Sequence, residues 1–285
     1  MLTVIRVFYL IALVFYSISA YSHIRAFSGK PLHPQRPTTH PTTTGWGSVV
    51  WISYGALFQF LGLVMYTVYL RQAPFVGMFQ GFTFASFMLA LLFLIVSRPG
   101  RSEAAGGLIV VPLVCIFALI GLFTPLSRVH DPQLQAGLFF ILHASTGLLS
   151  CGAFAISFAG AVCYLLLHHE IKSKRLGRFF ERLPSLDELD HLTYLSVYIG
   201  FVALTVAIAS GMAWTRLRAG TLLQLDIKET ITFINWLIFA FYLHSRISGG
   251  WRGKRAAWLV IAGFAVAFFN FLIVTAVLSR THSFL

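Results

Sequence analysis

A chain of 285 residues that is 58% hydrophobic and only 11% charged is not a soluble globular domain, in which about 25% charged residues is ordinary. Its net charge of +12 does not indicate nucleic-acid binding, because the basic residues fall in short loops between apolar runs and form no soluble basic face. Cys115, Cys151 and Cys163 lie inside apolar runs with no CxxC or CxxCH spacing, which argues against a disulfide framework, a zinc site and covalent haem attachment to this chain.

Eight apolar stretches are long enough to cross a bilayer, which takes roughly 20 residues each. In chain order they are about Leu2–Tyr21, Gly47–Leu70, Phe79–Val96, Gly107–Leu126, Gly137–Leu167, Leu192–Trp214, Ile231–His244 (extended at both ends) and Ala256–Leu278. The expected fold is all-α: one polytopic integral membrane domain, residues 1–285, with about eight transmembrane helices. The first stretch ends in small residues at Ser17–Ala20, as a signal peptide would. Cleavage there would reverse the charge bias of every later loop, so the stretch is read as a span. The Pro/Thr/His-rich segment Lys30–Thr44 is expected to be an irregular loop. The fifth stretch is long enough to tilt or to project from the membrane. The segment Glu170–His191 mixes both charges and is read as a short helix pair. Asp226-Ile227-Lys228-Glu229 before the seventh stretch has the form of a capping box, with Asp226 capping the helix and Glu229 reaching back to it.

The odd-numbered loops carry fourteen of the 21 basic residues and the opposite side seven. The positive-inside bias therefore predicts both termini on the outer face and the odd loops in the cytoplasm. Trp46, Trp51, Trp214, Trp251 and Trp258 fall near the expected interfaces, as an aromatic belt would.

Ten histidines remain to be sorted. His143 lies one or two turns into the fifth span from its outer end. His130 precedes it in the outer loop, and His282 follows the eighth span on the same face. His244 lies near the inner end of the seventh span. A helix from Glu229 to His244 rises about 22 Å, so His244 cannot share one metal with the outer pair. An isolated interfacial histidine commonly snorkels or bonds a carbonyl, and that reading suits His23, His130, His168, His169 and His191. It is also open for His143 and His244. His33 and His40 sit in a polar loop. No nucleophile triad, P-loop or dinucleotide motif occurs. Acidic residues are nearly absent from the spans, which argues against a proton-driven transporter.

Several segments together resemble the cytochrome c assembly family of haem-handling membrane proteins (CcsA, ResC and relatives), with most similarity to its HemX-like, YpjD-like branch. They are Leu142-His143-Ala144-Ser145, Leu189-Asp190-His191, Ala209-Ser210-Gly211-Met212-Ala213-Trp214, Asp226-Ile227-Lys228-Glu229-Thr230, Tyr242-Leu243-His244-Ser245-Arg246 and His282-Ser283-Phe284. The resemblance is strongest over residues 137–285 and weaker over Tyr66–Ala90, where Arg71-Gln72-Ala73-Pro74-Phe75 is similar to a family loop.

The resemblance implies an inner-membrane, multi-pass protein of c-type cytochrome biogenesis that is not an enzyme. It implies haem b held at the outer face, with His143 and His282 as iron ligands and with Gly220, Asp226, Lys228 and Glu229 in the cofactor-binding loop. His244 would serve haem entry together with a CcsB/ResB-like membrane partner, and apocytochrome c would receive the haem. The family's loop pattern WGxxWxWDPKET is altered: its tryptophans fall on Ala219, Leu223 and Leu225 and its proline on Ile227. Leu222, Leu223 and Leu225 offer haem apolar contact without stacking. That departure leaves an alternative, a HemX-like accessory or regulatory protein of haem metabolism acting through its cytoplasmic loops without haem delivery.

Overall fold

A backbone in hydrocarbon must satisfy its polar groups within its own segment, and apolar runs of this length do so as helices. The computed structural model describes residues 1–28, 44–71, 73–74, 78–96, 101–124, 137–174, 177, 179–180, 183–224 and 226–271. Among the described residues eight helices succeed one another: α1 (Leu2–Ser28), α2 (Thr44–Leu70), α3 (Met78–Val96), α4 (Arg101–Phe123), α5 (Leu138–Ser173), α6 (Leu186–Ala219), α7 (Ile227–Ser248) and α8 (Lys254–Phe269). No strand occurs among the described residues. Leu2–Ser28, Val49–Leu70, Phe79–Val96, Leu138–Ser173 and Leu186–Ala219 are long and apolar enough to cross a membrane, and Gly107–Phe123 is a shorter apolar helix. The chain is a polytopic, all-helical membrane protein. The part of the eighth predicted stretch beyond Phe271 lies outside the described residues.

Within the segment Glu170–His191, expected to be a short helix pair, residues 175, 176, 178, 181 and 182 lie outside the described residues. Of the others, residues 170–173 close α5 and residues 186–191 open α6, helices that run for 36 and 34 residues. At 1.5 Å per residue both exceed 50 Å, against roughly 30 Å of hydrocarbon. Ser185 starts α6 with a true capping box. Its hydroxyl accepts the Glu188 N–H, and the Glu188 carboxylate accepts the Ser185 N–H at 2.9 Å. Asp187 and Glu188 also suit the positive end of the helix dipole. Across the turn, the Glu170 carboxylate accepts the Gly177 and Phe180 N–H groups at 3.2 and 2.8 Å, which folds the connection back on α5.

α5 is the central helix and packs on α3, α4, α6 and α8. α1 packs on α2 and α4, and α7 on α6 and α8. Small residues let these helices approach closely, as membrane packing requires where burial from water supplies no drive. Phe154 of α5 and Phe239 of α7 stack with ring centroids 3.7 Å apart at the centre of this half. Gly200 of α6 backs the first ring and Gly263 of α8 the second. In the other half a buried polar chain joins the helices. Tyr16 Oη donates to Gln59 Oε1 at 2.6 Å, and Gln59 Nε2 donates to the Thr83 carbonyl at 2.8 Å. Ser86 Oγ then donates to the Val114 carbonyl of α4 at 3.1 Å.

Candidate functional site

The two ends of the α5–α8 half carry different groups. At one end the beginning of α5, the last turns of α6 and the first turn of α7 come together around His143. Its Nδ1 lies 2.8 Å from the Ala207 carbonyl oxygen of α6. Gly211, one turn further along α6, stands beside the same ring. Ser210 Oγ donates to the Val206 and Ala207 carbonyls at 2.6 and 3.2 Å. Lys228 and Glu229 of α7 lie within electrostatic reach of the imidazole. Next to His143, Phe140 and Ala144 pack against the core formed by Tyr9, Tyr66 and Phe79. Phe140 also meets Trp214, with centroids 5.3 Å apart, and the Arg218 guanidinium lies 5.4 Å from the same indole.

The connection from α6 to α7 is built by backbone capping. Gly220 ends α6 in the left-handed region (φ 72°), and its N–H donates to the Arg216 carbonyl at 3.0 Å. Glycine is the residue that adopts this conformation without strain. Asp226 caps α7, accepting the Lys228 N–H at 2.6 Å. The Glu229 carboxylate does not reach back to Asp226, as the capping-box reading expected. It accepts the Gln224 N–H at 2.9 Å, two residues further upstream. It therefore ties the loop down from outside the cap. Leu222 and Leu223 are about half exposed at this end, at 48% and 49%.

The structure thus brings together His143, Lys228 and Glu229, with Gly220 and Asp226 shaping the adjoining loop. His282, His130, His33, His40 and Leu225 lie outside the described residues. Among the described residues no three of His, Cys, Asp or Glu converge as a metal site. Among the described residues His143 belongs to no such cluster.

The other end holds His244. Tyr242, Leu243 and Ser245 are buried around it, but His244 itself is exposed on α7. It continues an outward stripe through Phe233, Leu237 and Phe241, at helical spacing. Two residues on, Arg246 turns inward to Asp190 of α6. Asp190 and Ala207 are seventeen residues apart on α6, about 25 Å, so His143 and His244 occupy opposite ends as their helical rise implies. Of the remaining histidines, His23 is buried with Nδ1 2.8 Å from the Ser19 carbonyl, and His168 stacks on Tyr164.

Ala207 and Gly211 were not picked out as site residues from the sequence. The available signal was an isolated glycine within an apolar helix, one turn after a small residue, which marks close approach of another group.

Residues 50–282 match the family described as cytochrome C assembly protein. The chain is 29% identical over 247 residues to the cytochrome c biogenesis protein CcsA of Heterosigma akashiwo, covering 74% of this chain and 76% of that protein. It is 26% identical over 234 residues to the CcsA of Mesostigma viride, covering 74% and 77%. With the CcsA of Guillardia theta it shares 32% identity over 184 residues, covering 57% and 61%.

Proposed function

The chain belongs to the cytochrome c assembly protein family and has a haem-handling role in c-type cytochrome assembly, and from that premise we propose that it holds haem b at the outer face of a cell inner membrane, with His143 as one axial ligand and His282 as the other. The observation that supports this reading is the His143–Ala207 contact. A ligating imidazole characteristically donates its second ring N–H to a carbonyl or carboxylate, so the donor chemistry at His143 fits iron. Leu222 and Leu223, exposed at the same end, supply apolar surface for the macrocycle. Lys228 supplies a cation suited to a propionate, while Asp226, Gly220 and Glu229 hold the loop and the first turn of α7 in place. When bound, haem supplies the vinyl groups to which apocytochrome thiols add; this chain binds and orients it. No catalytic residue is assigned.

His244 belongs to a separate step. An exposed imidazole on a membrane helix is costly unless something outside the chain meets it. We assign it to haem entry at the cytoplasmic end, completed by a CcsB/ResB-like membrane partner.

The test is the absorption spectrum of the purified protein. A Soret band that H143A and H282A each shift or remove supports the reading; no band, or one that both substitutions leave unchanged, overturns it.

A second reading rests on the loop before α7. Leu223 stands where family members place a tryptophan, and the long α5–α6 hairpin projects at the opposite end. A HemX-like accessory protein would use that hairpin, Glu170–His191, to bind partners without delivering haem. Partner capture that is unchanged by charge reversal in this hairpin would count against it.

A further inference from the structure

Ala207 and Gly211 lie one turn apart on the face of α6 that meets α5, and the His143 ring lies against both. A carbonyl oxygen only accepts hydrogen bonds, so the 2.8 Å contact with Ala207 requires the proton on Nδ1. In the neutral ring the lone pair is then on Nε2. The ring can come this close only because residue 211 has no side chain. A Cβ built on Gly211 would stand 2.6 Å from Nδ1 and 3.0 Å from Cε1 of His143.

We propose that Gly211, together with the Ala207 carbonyl, sets the tautomer and direction of His143, so that Nε2 is the nitrogen presented to a ligand. Gly211 is a positioning residue and the Ala207 carbonyl the anchor. The purpose of the device rests on the reading of His143 as an iron ligand; its geometry does not. The atom that gives way in an alanine variant is the end of a side chain with two free torsions. The α5–α6 pair therefore stays folded while the ring swings off the carbonyl. Gly147, on the other side of the same interface, provides the contrast. A Cβ there would meet nothing closer than the Ala207 Cβ at 3.8 Å, an ordinary contact. G147A thus adds a methyl group to the same helix pair without touching the imidazole.

The experiment uses the full chain labelled with 15N-histidine in detergent, with His143 identified by the signal lost in H143Q. Long-range 1H–15N spectra are expected to give the Nδ1–H tautomer for His143 in the wild type and in G147A. In G211A they are expected to give the Nε2–H tautomer or a mixture. An Nε2–H tautomer in the wild type, or an unchanged Nδ1–H tautomer in G211A, overturns the proposal. Titration with iron protoporphyrin IX forms the second arm. The loss of a supporting hydrogen bond typically weakens a metal site by about 10–100-fold, and G211A is expected to bind that much more weakly while G147A follows the wild type. If H143Q weakens binding and G211A does not, positioning by Gly211 is wrong. If wild type and H143Q bind alike, His143 is not a ligand, and the NMR arm alone decides the tautomer.

Discussion

Arg246 and Asp190 form a two-pronged ion pair between α7 and α6, with Nη2–Oδ2 at 2.6 Å and Nη1–Oδ1 at 3.1 Å. Both side chains are nearly covered, at 11% and 12% exposure. The Gly253 N–H donates to the same carboxylate at 3.3 Å, so one acidic group holds α6, α7 and the turn into α8. The guanidinium also lies 4.7 Å from the Tyr194 ring. Because Arg246 faces inward, His244 two residues earlier faces outward.

Removing one member of such a pair leaves the other charge buried without its partner. D190N is expected to destabilise the protein by about 3 kcal/mol, read as a lower melting temperature in detergent. The double variant D190N/R246Q is expected to lose less than the sum of the two single losses. R246K keeps the charge but forfeits the second prong and the planar contact with Tyr194, so it is expected to fall well below wild type. A melting curve for R246K matching wild type would refute the account of the clamp.

The stacked rings of Phe154 and Phe239 depend on the glycines behind them. A Cβ at Gly200 would lie 2.5 Å from Phe154 Cε1, and both rings are buried with no room to retreat. G200A is expected to cost about 1–3 kcal/mol through overpacking. Thermal unfolding followed by circular dichroism measures it, and an unaltered midpoint would show that the core relaxes more freely than its packing suggests.

Asp226 offers a way to separate capping from cofactor binding. Asparagine caps about as well as aspartate, whereas alanine costs about 1 kcal/mol. Accordingly D226N is expected to keep haem affinity and to lose less stability than D226A, since it keeps the cap and gives up only the charge interaction with Lys228. A large loss of haem affinity in D226N would mean that the charge itself meets the ligand.

His143 and His244 are expected to behave independently when haem is added to purified protein. H244A should give the wild-type Soret position on reconstitution, yet contain severalfold less haem when isolated from cells. A changed Soret position in reconstituted H244A would place both histidines on one iron and contradict their separation along α6.

Two similar patterns show how far local reading reaches. Ser185-x-x-Glu188 and Asp226-x-x-Glu229 both carry the signature of a capping box. The first forms one, and it lies in a segment whose mixed charge suggested a short helix pair. In the second, Asp226 caps, but Glu229 takes the Gln224 N–H instead. The pattern identifies a carboxylate near a helix start; which amide it reaches depends on how the preceding loop folds. α5 and α6 run beyond their apolar stretches for a related reason. Hydropathy locates the part of a helix in hydrocarbon, while its polar extension is held by caps such as Ser185 and by the Glu170 carboxylate.

By itself, the sequence determined the class of the molecule. Runs of apolar residues far longer than a soluble helix needs specify membrane helices, because hydrocarbon leaves the backbone no other way to satisfy its polar groups. It also determined the helix start at Asp226 and the separation of His143 from His244, since both follow from spacing along a helix of known rise. Which side of each helix faces inward was decided only by the tertiary structure. The rotation of α7 follows from Arg246 finding Asp190, fifty-six positions earlier. The setting of His143 follows from a carbonyl and a glycine sixty-odd positions away on α6. Apolar residues surround these helices on nearly every side, so periodicity carries little information about their azimuth, and contacts between distant segments supply it.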